Sequence, residues 1–113
     1  MKKRPVLGLI ETVTVISPDK EVILNSRIDT GATSSSIDIN LAKKLNLGPV
    51  TKTKIVKSAS GVKRRPLVKV KIKLNGSIIE ADFTLADRSH MNYPLLIGQN
   101  VLKLGRFMID TLK

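Results

Sequence analysis

The sequence predicts a small, mostly antiparallel β domain with two short helices. Three observations carry this. Val68, Val70, Ile72 and Leu74 alternate with Lys69, Lys71 and Lys73, the period-two pattern of a strand with one buried face. Asn75-Gly76 follows at once, the strongest two-residue hairpin signal. Apolar, β-branched runs bounded by Pro, Gly, Asp or Ser recur along the chain, and only two short stretches have helical spacing. The 113 residues suffice for a single domain spanning residues 1–113.

Residues 6–16 are apolar at many positions, and Ser17-Pro18-Asp19-Lys20 is a turn signal. A strand resumes over residues 21–28, so the pair reads as a hairpin that delivers the chain to Asp29. Thr33-Ser34-Ser35-Ser36 reads as a loop. Asp38 can cap a short helix with Leu41, Ala42 and Leu45 on one face and Lys43 and Lys44 on the other, stopped by Gly48-Pro49. Residues 51–56 alternate weakly. Residues 58–66 are small, then basic, with little to bury, and read as the exposed, mobile tip of a hairpin.

Folding the chain about Asn75-Gly76 sets Ile72 opposite Ile79, Val70 opposite Ala81 and Val68 opposite Phe83. The same register sets Lys71 against Glu80 and Lys69 against Asp82, so both faces demand one pairing. Residues 87–94 form a polar loop. Leu95-Leu96-Ile97 is a short buried strand ended by Gly98, residues 100–104 a short helix stopped by Gly105, and residues 107–109 a last strand.

Composition narrows the chemistry. There is no Cys and one His, His90, so a disulfide framework and thiolate catalysis are excluded, and zinc lacks its three or four ligands. No G-x-x-x-x-G-K-[ST] stretch supports ATP binding. No cofactor and no metal are expected. No apolar run reaches membrane-spanning length, and Met1-Lys2-Lys3-Arg4 leads into no signal-peptide core, so a cytoplasmic protein without membrane attachment is expected. The net charge is +11, and residues 52–73 hold nine Lys or Arg and no acid. Such a field attracts nucleic acid, anionic lipid or acidic peptide, unless it is simply a solvated face.

The candidate for chemistry is Ile28-Asp29-Thr30-Gly31-Ala32. A carboxylate at the end of a buried strand is costly unless paired, neutralised or functional. Asp-Thr-Gly alone occurs by chance, but here it follows a strand and precedes a small-residue loop. A basic, Gly-containing hairpin comes next, then Ile97-Gly98 before a short helix. Over roughly residues 6–110 this order resembles the retropepsin-like aspartic proteases. The resemblance implies a closed antiparallel β-barrel of the acid-protease type and a peptidase active as a homodimer.

A narrower similarity rests on Arg65-Pro66-Leu67-Val68, on Asp87-Arg88-x-x-Met91-x-x-Pro94-Leu95-Leu96-Ile97-Gly98, and on Gly105-Arg106-Phe107-x-x-Asp110. These are similar to a bacterial and archaeal group associated with RimK/LysX-type glutamate ligases and labelled ATP-dependent zinc proteases. The group usually has Arg where Gln99 stands, and the zinc and ATP of the label find no residues here to carry them.

Asp110-Thr111 is followed by Leu112 where Gly is required, so the second carboxylate of an aspartate pair must come from a second copy of the chain. Two carboxylates near contact cannot both ionise; they share a proton. One then takes a proton from water while the other protonates the carbonyl oxygen. Asp29 is the expected general acid/base. The resemblance implies that Thr30 hydrogen-bonds across the dimer. Gly31 lets backbone N–H groups approach the carboxylates. Ala32 lacks the hydroxyl that Ser would offer, which moves the expected working pH toward neutral. Residues 58–65 would be a flap over the substrate, with Ser58, Ser60, Gly61, Lys63, Arg64 and Arg65 as its contacts.

Arg88, His90 and Met91 are further substrate-binding candidates. The cations favour acidic substrates, and the ligase association implies a poly-glutamate tail and a RimK-type ligase system as partner. A competing reading is a non-catalytic dimer of the same fold that binds nucleic acid or another polyanion. The scarcity of aromatics, Phe83, Tyr93 and Phe107, argues against stacking platforms but not against phosphate contacts. A structural dimerisation module is a third reading.

Overall fold

Val13 and Val15 are buried on β2 (Ile10–Ile16), and opposite them Leu24 and Val22 lie on β3 (Glu21–Ile28). The turn between the strands is closed by Ser17, whose N–H and hydroxyl both donate to the Lys20 carbonyl, at 2.9 and 2.7 Å. The structure is a computed structural model that describes residues 3–59 and 61–113. Ser60, expected on the flap, lies outside the described residues.

The strand expected over residues 6–16 breaks at Gly8. The Glu11 carboxylate accepts the Gly8 N–H at 2.6 Å, which removes that donor from the ladder. The preceding piece, β1 (Val6–Leu7), pairs in parallel with β9 (Met108–Ile109) at the far end of the chain. Arg4 fastens this junction, donating from Nε to the Arg106 carbonyl at 2.7 Å and from Nη2 to that of Phe107 at 3.1 Å.

Residues 35 and 36, expected in a loop, belong to a strand, β4 (Ser35–Asp38). It lies between β7 (Ser77–Ala86) and β8 (Leu95–Ile97), parallel to the first and antiparallel to the second. Small serines fit this crowded position; Ser35, Ser36 and Ile37 are all buried. Asp38 caps α1 (Ile39–Lys44) as expected, its Oδ2 accepting the Leu41 N–H at 3.2 Å.

The hairpin at residues 58–66 is strand almost to its tip: β5 (Lys52–Ser58) pairs with β6 (Gly61–Leu74) from Lys52↔Leu67 to Ser58↔Gly61. Pro66 interrupts nothing because β6 has a neighbour on one side only at that point. From Leu67 onward β6 pairs with β7 in the register expected, Val68↔Phe83, Val70↔Ala81 and Ile72↔Ile79. Asn75 and Gly76 both have positive φ, 47° and 82°, as a type I′ turn requires.

Strand order β2-β3-β8-β4-β7-β6, with β6 returning to β2, closes a six-stranded barrel, and β5 extends from β6 outside it. Val13, Val15, Ile37, Val70, Ile72, Phe83, Leu95 and Ile97 are fully buried, each worth about 1.5–3 kcal/mol of burial. Three ladders are parallel: β1–β9, β3–β8 and β4–β7. The β3–β8 pairing brings the C-terminal ends of both strands, Ile28 and Ile97, side by side. Asp29 and Gly98 follow those ends, and α2 (Gln99–Leu104) starts beyond Gly98. Among the described residues no helix is long and apolar enough to cross a membrane.

Candidate active site

Asp29 leaves β3 with its N–H donating to the Ile97 carbonyl at 2.9 Å. The chain turns at once: the Ala32 N–H donates to the Asp29 carbonyl at 3.3 Å, and the Gly31 N–H donates to Asp29 Oδ1 at 2.9 Å. The turn carries Asp29 out of the barrel interior, so its carboxylate is half-buried in the single chain, less than a strand-end position suggests. A Cβ at Gly31 would lie 3.3 Å from Asp29 Oδ1 and crowd it. Thr30 is exposed, and its carbonyl accepts from Gln99 Nε2 at 2.8 Å.

The support beneath this loop comes from Gly98 and Gln99, which the sequence marks only through the family resemblance, and from Ser35 and Asn100, to which it gives no role. The Gln99 N–H donates to the Ala32 carbonyl at 2.8 Å. The Gly98 N–H donates to Ser35 Oγ at 2.9 Å, and that hydroxyl donates to Asn100 Oδ1 at 2.7 Å. Asn100 Oδ1 also accepts the Ser35 N–H at 3.0 Å, while Asn100 Nδ2 donates to the Asp82 carbonyl at 2.8 Å. The available signal was local: three consecutive small or polar residues, Gly98-Gln99-Asn100, directly after a buried strand.

The β5–β6 hairpin faces the same loop. Lys54 and Arg65 stand opposite one another in its ladder, and Lys54 Nζ donates to Ser34 Oγ. Between hairpin and loop lies a cavity of about 390 Å³, lined by Gly31, Ala32, Ser34 and Ser36, by the cations Lys54, Lys57, Arg65 and Arg88, and by apolar Ile55, Val56 and Leu96. Of the expected site residues, Gly31, Ala32, Arg65 and Arg88 line it. Gly61, Lys63 and Arg64 are exposed nearer the hairpin tip, and Ser58 ends β5 opposite Gly61. His90 and Met91 are exposed on the loop after β7 and do not line the cavity. In the sequence Lys54 and Lys57 stand out only as members of the basic stretch over residues 52–73.

Arg88 is held on two sides: its N–H donates to Asp38 Oδ1 at 2.8 Å and its Nε to the Tyr93 carbonyl at 3.0 Å. Partial burial pushes its guanidinium below the usual arginine range; the Asp38 charge opposes this and the Arg65 charge adds to it. Asp87 next to it is held below the ordinary aspartate value by the Ser89 hydroxyl and then by the Ser89 N–H, at 2.6 and 2.9 Å. Among the described residues no three His, Cys, Asp or Glu side chains cluster as a metal would need.

A closed barrel that ends one strand on Asp-Thr-Gly and covers it with a β-hairpin has the retropepsin-like architecture. The Legionella pneumophila protein Lpg0085, of unknown function, superposes with a TM-score of 0.73 at 23% identity, over 98% of this chain and 96% of that one. The EIAV protease, solved with the inhibitor HBY-793, gives 0.70 at 21% identity over 97% and 95%. The retroviral protease-like domain of Ddi1 from Leishmania major gives 0.60 at 20% over 92% and 80%. At these identities the likeness is one of fold. No curated protein matches the chain in sequence.

Residues 40–113 match the RimB-like family, described as retropepsin-like aspartic endopeptidase RimB, and the chain belongs to that family. The matched stretch takes in the covering hairpin, Arg88 and Gly98 and begins after the Asp29 loop. Family and fold together support a protease-type function.

Proposed function

We propose that this chain is a homodimeric aspartic endopeptidase, in which Asp29 from each of two copies shares one proton and activates water against a peptide bond of a glutamate-rich substrate. One observation carries the reading: the Asp29 carboxylate is held by the N–H of Gly31, and Gly31 lines a cavity whose wall holds Lys54, Lys57, Arg65 and Arg88 beside apolar Ile55, Val56 and Leu96 and no carboxylate. One Asp29 loop per chain supplies one carboxylate, so the pair needs the second copy. Brought near contact, the two carboxylates hold one proton between them at working pH. The ionised member takes a proton from water as the protonated member gives its own to the carbonyl oxygen. The hydroxide adds to the carbonyl carbon; the carboxyl that took the water's proton then gives it to the amide nitrogen while the other carboxylate takes back a hydroxyl proton, and the tetrahedral species collapses to the acid and the amine.

In this reading Thr30, Gly31 and Ala32 keep the loop rigid, with Thr30 bonding across the dimer, and the β5–β6 hairpin is the flap. Residues 1–113 act as one retropepsin-like unit in the cytoplasm, without a cofactor. A poly-glutamate tail added by a RimK-type ligase would suit the cationic wall.

The test is cleavage of poly-glutamate and casein by the wild type and by Asp29→Asn, alongside sedimentation. Asp29-dependent cleavage by a dimer is expected; a strictly monomeric chain, or cleavage that survives in Asp29→Asn, overturns the proposal. A second reading is favoured by Lys69, Lys71 and Lys73, which are exposed in one row on β6 away from the cavity. Such a row suits a polyanion such as nucleic acid, and binding with steep salt dependence in the absence of any cleavage would support it.

A further inference from the structure

We infer that Gln99 is a positioning residue for the proposed reaction: its side chain fixes the Thr30–Gly31 peptide, and that peptide in turn aims the Asp29 carboxylate. The inference rests on the aspartic-peptidase reading. It adds a residue outside the Asp29 loop on which the orientation of the reacting group depends.

The first argument is covalent. The Thr30 carbonyl accepts from Gln99 Nε2 at 2.8 Å, and the Gly31 N–H donates to Asp29 Oδ1 at 2.9 Å. These two groups belong to one peptide unit. That unit is planar and trans, since the cis peptide among the described residues is Gly48-Pro49, so its C=O and N–H point in opposite directions. Gln99 therefore holds one end of the unit and Asp29 the other. Rotating the unit would break both bonds at once and turn the Thr30 carbonyl toward the carboxylate, which repels it. Each bond also polarises the peptide in the sense that strengthens the other.

The second argument is anchorage. Residue 99 grips the loop twice, because its backbone N–H donates to the Ala32 carbonyl at 2.8 Å. The backbone of Asp29 is fixed independently, its N–H on the Ile97 carbonyl at 2.9 Å and its carbonyl on the Ala32 N–H at 3.3 Å. The side chain of Gln99 thus acts on the Thr30–Gly31 unit alone. That unit needs a tether: Thr30 and Gly31 are exposed and lie between β3 and β4, outside the barrel ladders. Among the described residues Asp29 Oδ1 accepts the Gly31 N–H and Oδ2 accepts no hydrogen bond. One oxygen is pinned and the other is left for water and the shared proton; a loose peptide lets the two exchange places.

The third argument is the choice of side chain. The Thr30 carbonyl can only accept, so the amide nitrogen of Gln99, and not its oxygen, must face it. Gln99 and Thr30 line a hollow of about 410 Å³ together with Arg4, Lys103 and Arg106. Glutamine supplies an N–H donor there without adding a fourth cation.

The experiment uses the full chain as wild type, Gln99→Met and Gln99→Arg, with two readouts. The first is the Gly31 amide proton by NMR. Gln99→Met keeps the length of the side chain and removes its donor, so that resonance should move upfield and exchange faster with solvent. Gln99→Arg restores N–H donors and should leave it near the wild-type position. The second is cleavage of casein and poly-glutamate. Gln99→Met should lower kcat and kcat/KM together by about 10–100-fold with KM unchanged, the pattern of a bond that matters in the transition state. Gln99→Arg should recover most of that loss. Lys103→Met, in the same hollow, should change neither readout. Melting curves and sedimentation accompany each variant, and if Gln99→Met fails to fold, Gln99→Glu, of equal length and without a donor when ionised, takes its place.

An unmoved Gly31 amide in the donor-less variant overturns the inference. So does full activity beside a shifted amide, or a loss that vanishes as the protein concentration is raised, since Gln99 would then serve the dimer alone. The wild type separates the two claims. No cleavage, with a Gly31 amide that shifts in Gln99→Met, removes the peptidase and keeps the peptide orientation; Asp29-dependent cleavage with an unmoved amide keeps the peptidase and removes the role of Gln99.

Discussion

Gly98 lies directly beneath Ser34: a Cβ at position 98 would stand 2.4 Å from the Ser34 carbonyl oxygen and 2.9 Å from that of Ala32. Both neighbours are backbone of the candidate active-site loop, so neither can swing aside as a side chain would. Gly98→Ala should cost about 1–3 kcal/mol by overpacking and should push the loop off the start of α2. Urea unfolding gives the first quantity, and peptidase activity well below the melting temperature gives the second. A Gly98→Ala protein with wild-type stability would remove Gly98 as the seat of the loop.

Asn100 supports the same loop from one step further away, accepting both the N–H and the hydroxyl of Ser35. Asn100→Ala leaves these two donors without that acceptor in a crowded part of the barrel. A loss of about 1–3 kcal/mol is expected by chemical denaturation. Ser35→Ala, which deletes the acceptor of the Gly98 N–H, should cost a similar amount.

Asp29→Asn separates chemistry from fold. The Asn side-chain oxygen can still accept the Gly31 N–H now held at 2.9 Å, so stability should change by no more than about 0.5 kcal/mol. The proton shared by the proposed pair is lost, and cleavage should fall by about 10²–10⁴-fold or more. Matched melting curves and peptide cleavage rates check both halves.

Two glycines should respond differently to alanine. At Gly76, with φ of 82°, an added Cβ meets nothing within 4 Å, so the cost is conformational alone, about 1 kcal/mol. At Gly105 an added Cβ would stand 2.1 Å from the ring of Phe107, a buried residue, so the structure itself must shift. Gly105→Ala should therefore be the more damaging change, and the order of the two melting temperatures decides it.

Asp87 sets a pH dependence whose sign is fixed by its partners. The Ser89 hydroxyl and N–H favour the ionised carboxylate, so its folded value lies below the ordinary 3.8. Its contribution is present above that ordinary value and fades as the pH falls through the lower folded one. Ser89→Ala removes the larger of the two bonds and should move the Asp87 titration upward, read by carboxyl carbon NMR; an unmoved titration would contradict the assignment.

The hairpin over residues 68–83 was legible from the chain alone, pair by pair, because alternation on one face, charge on the other and the Asn75-Gly76 turn all demand the same register. The Asp38 cap and the strand that ends at Asp29 were legible for the same reason: turn and cap chemistry act over a few residues. β4 was not, since Ser35 and Ser36 show no apolar period and their pairing comes from β7 and β8, far along the chain. Gly8 reads as one residue of a strand until Glu11 takes its N–H.

The candidate site divides in the same way. Asp29-Thr30-Gly31-Ala32 announces itself, but its support by Gln99 and Asn100, and the meeting of Lys54, Arg65 and Arg88 around one cavity, arise only when the barrel closes. Short-range periodicity and turn chemistry belong to the sequence by itself. Convergence of charges from β5, β6 and the loop after β7 belongs to the tertiary structure, because nothing local holds like charges together; the closed hydrogen-bonded barrel does.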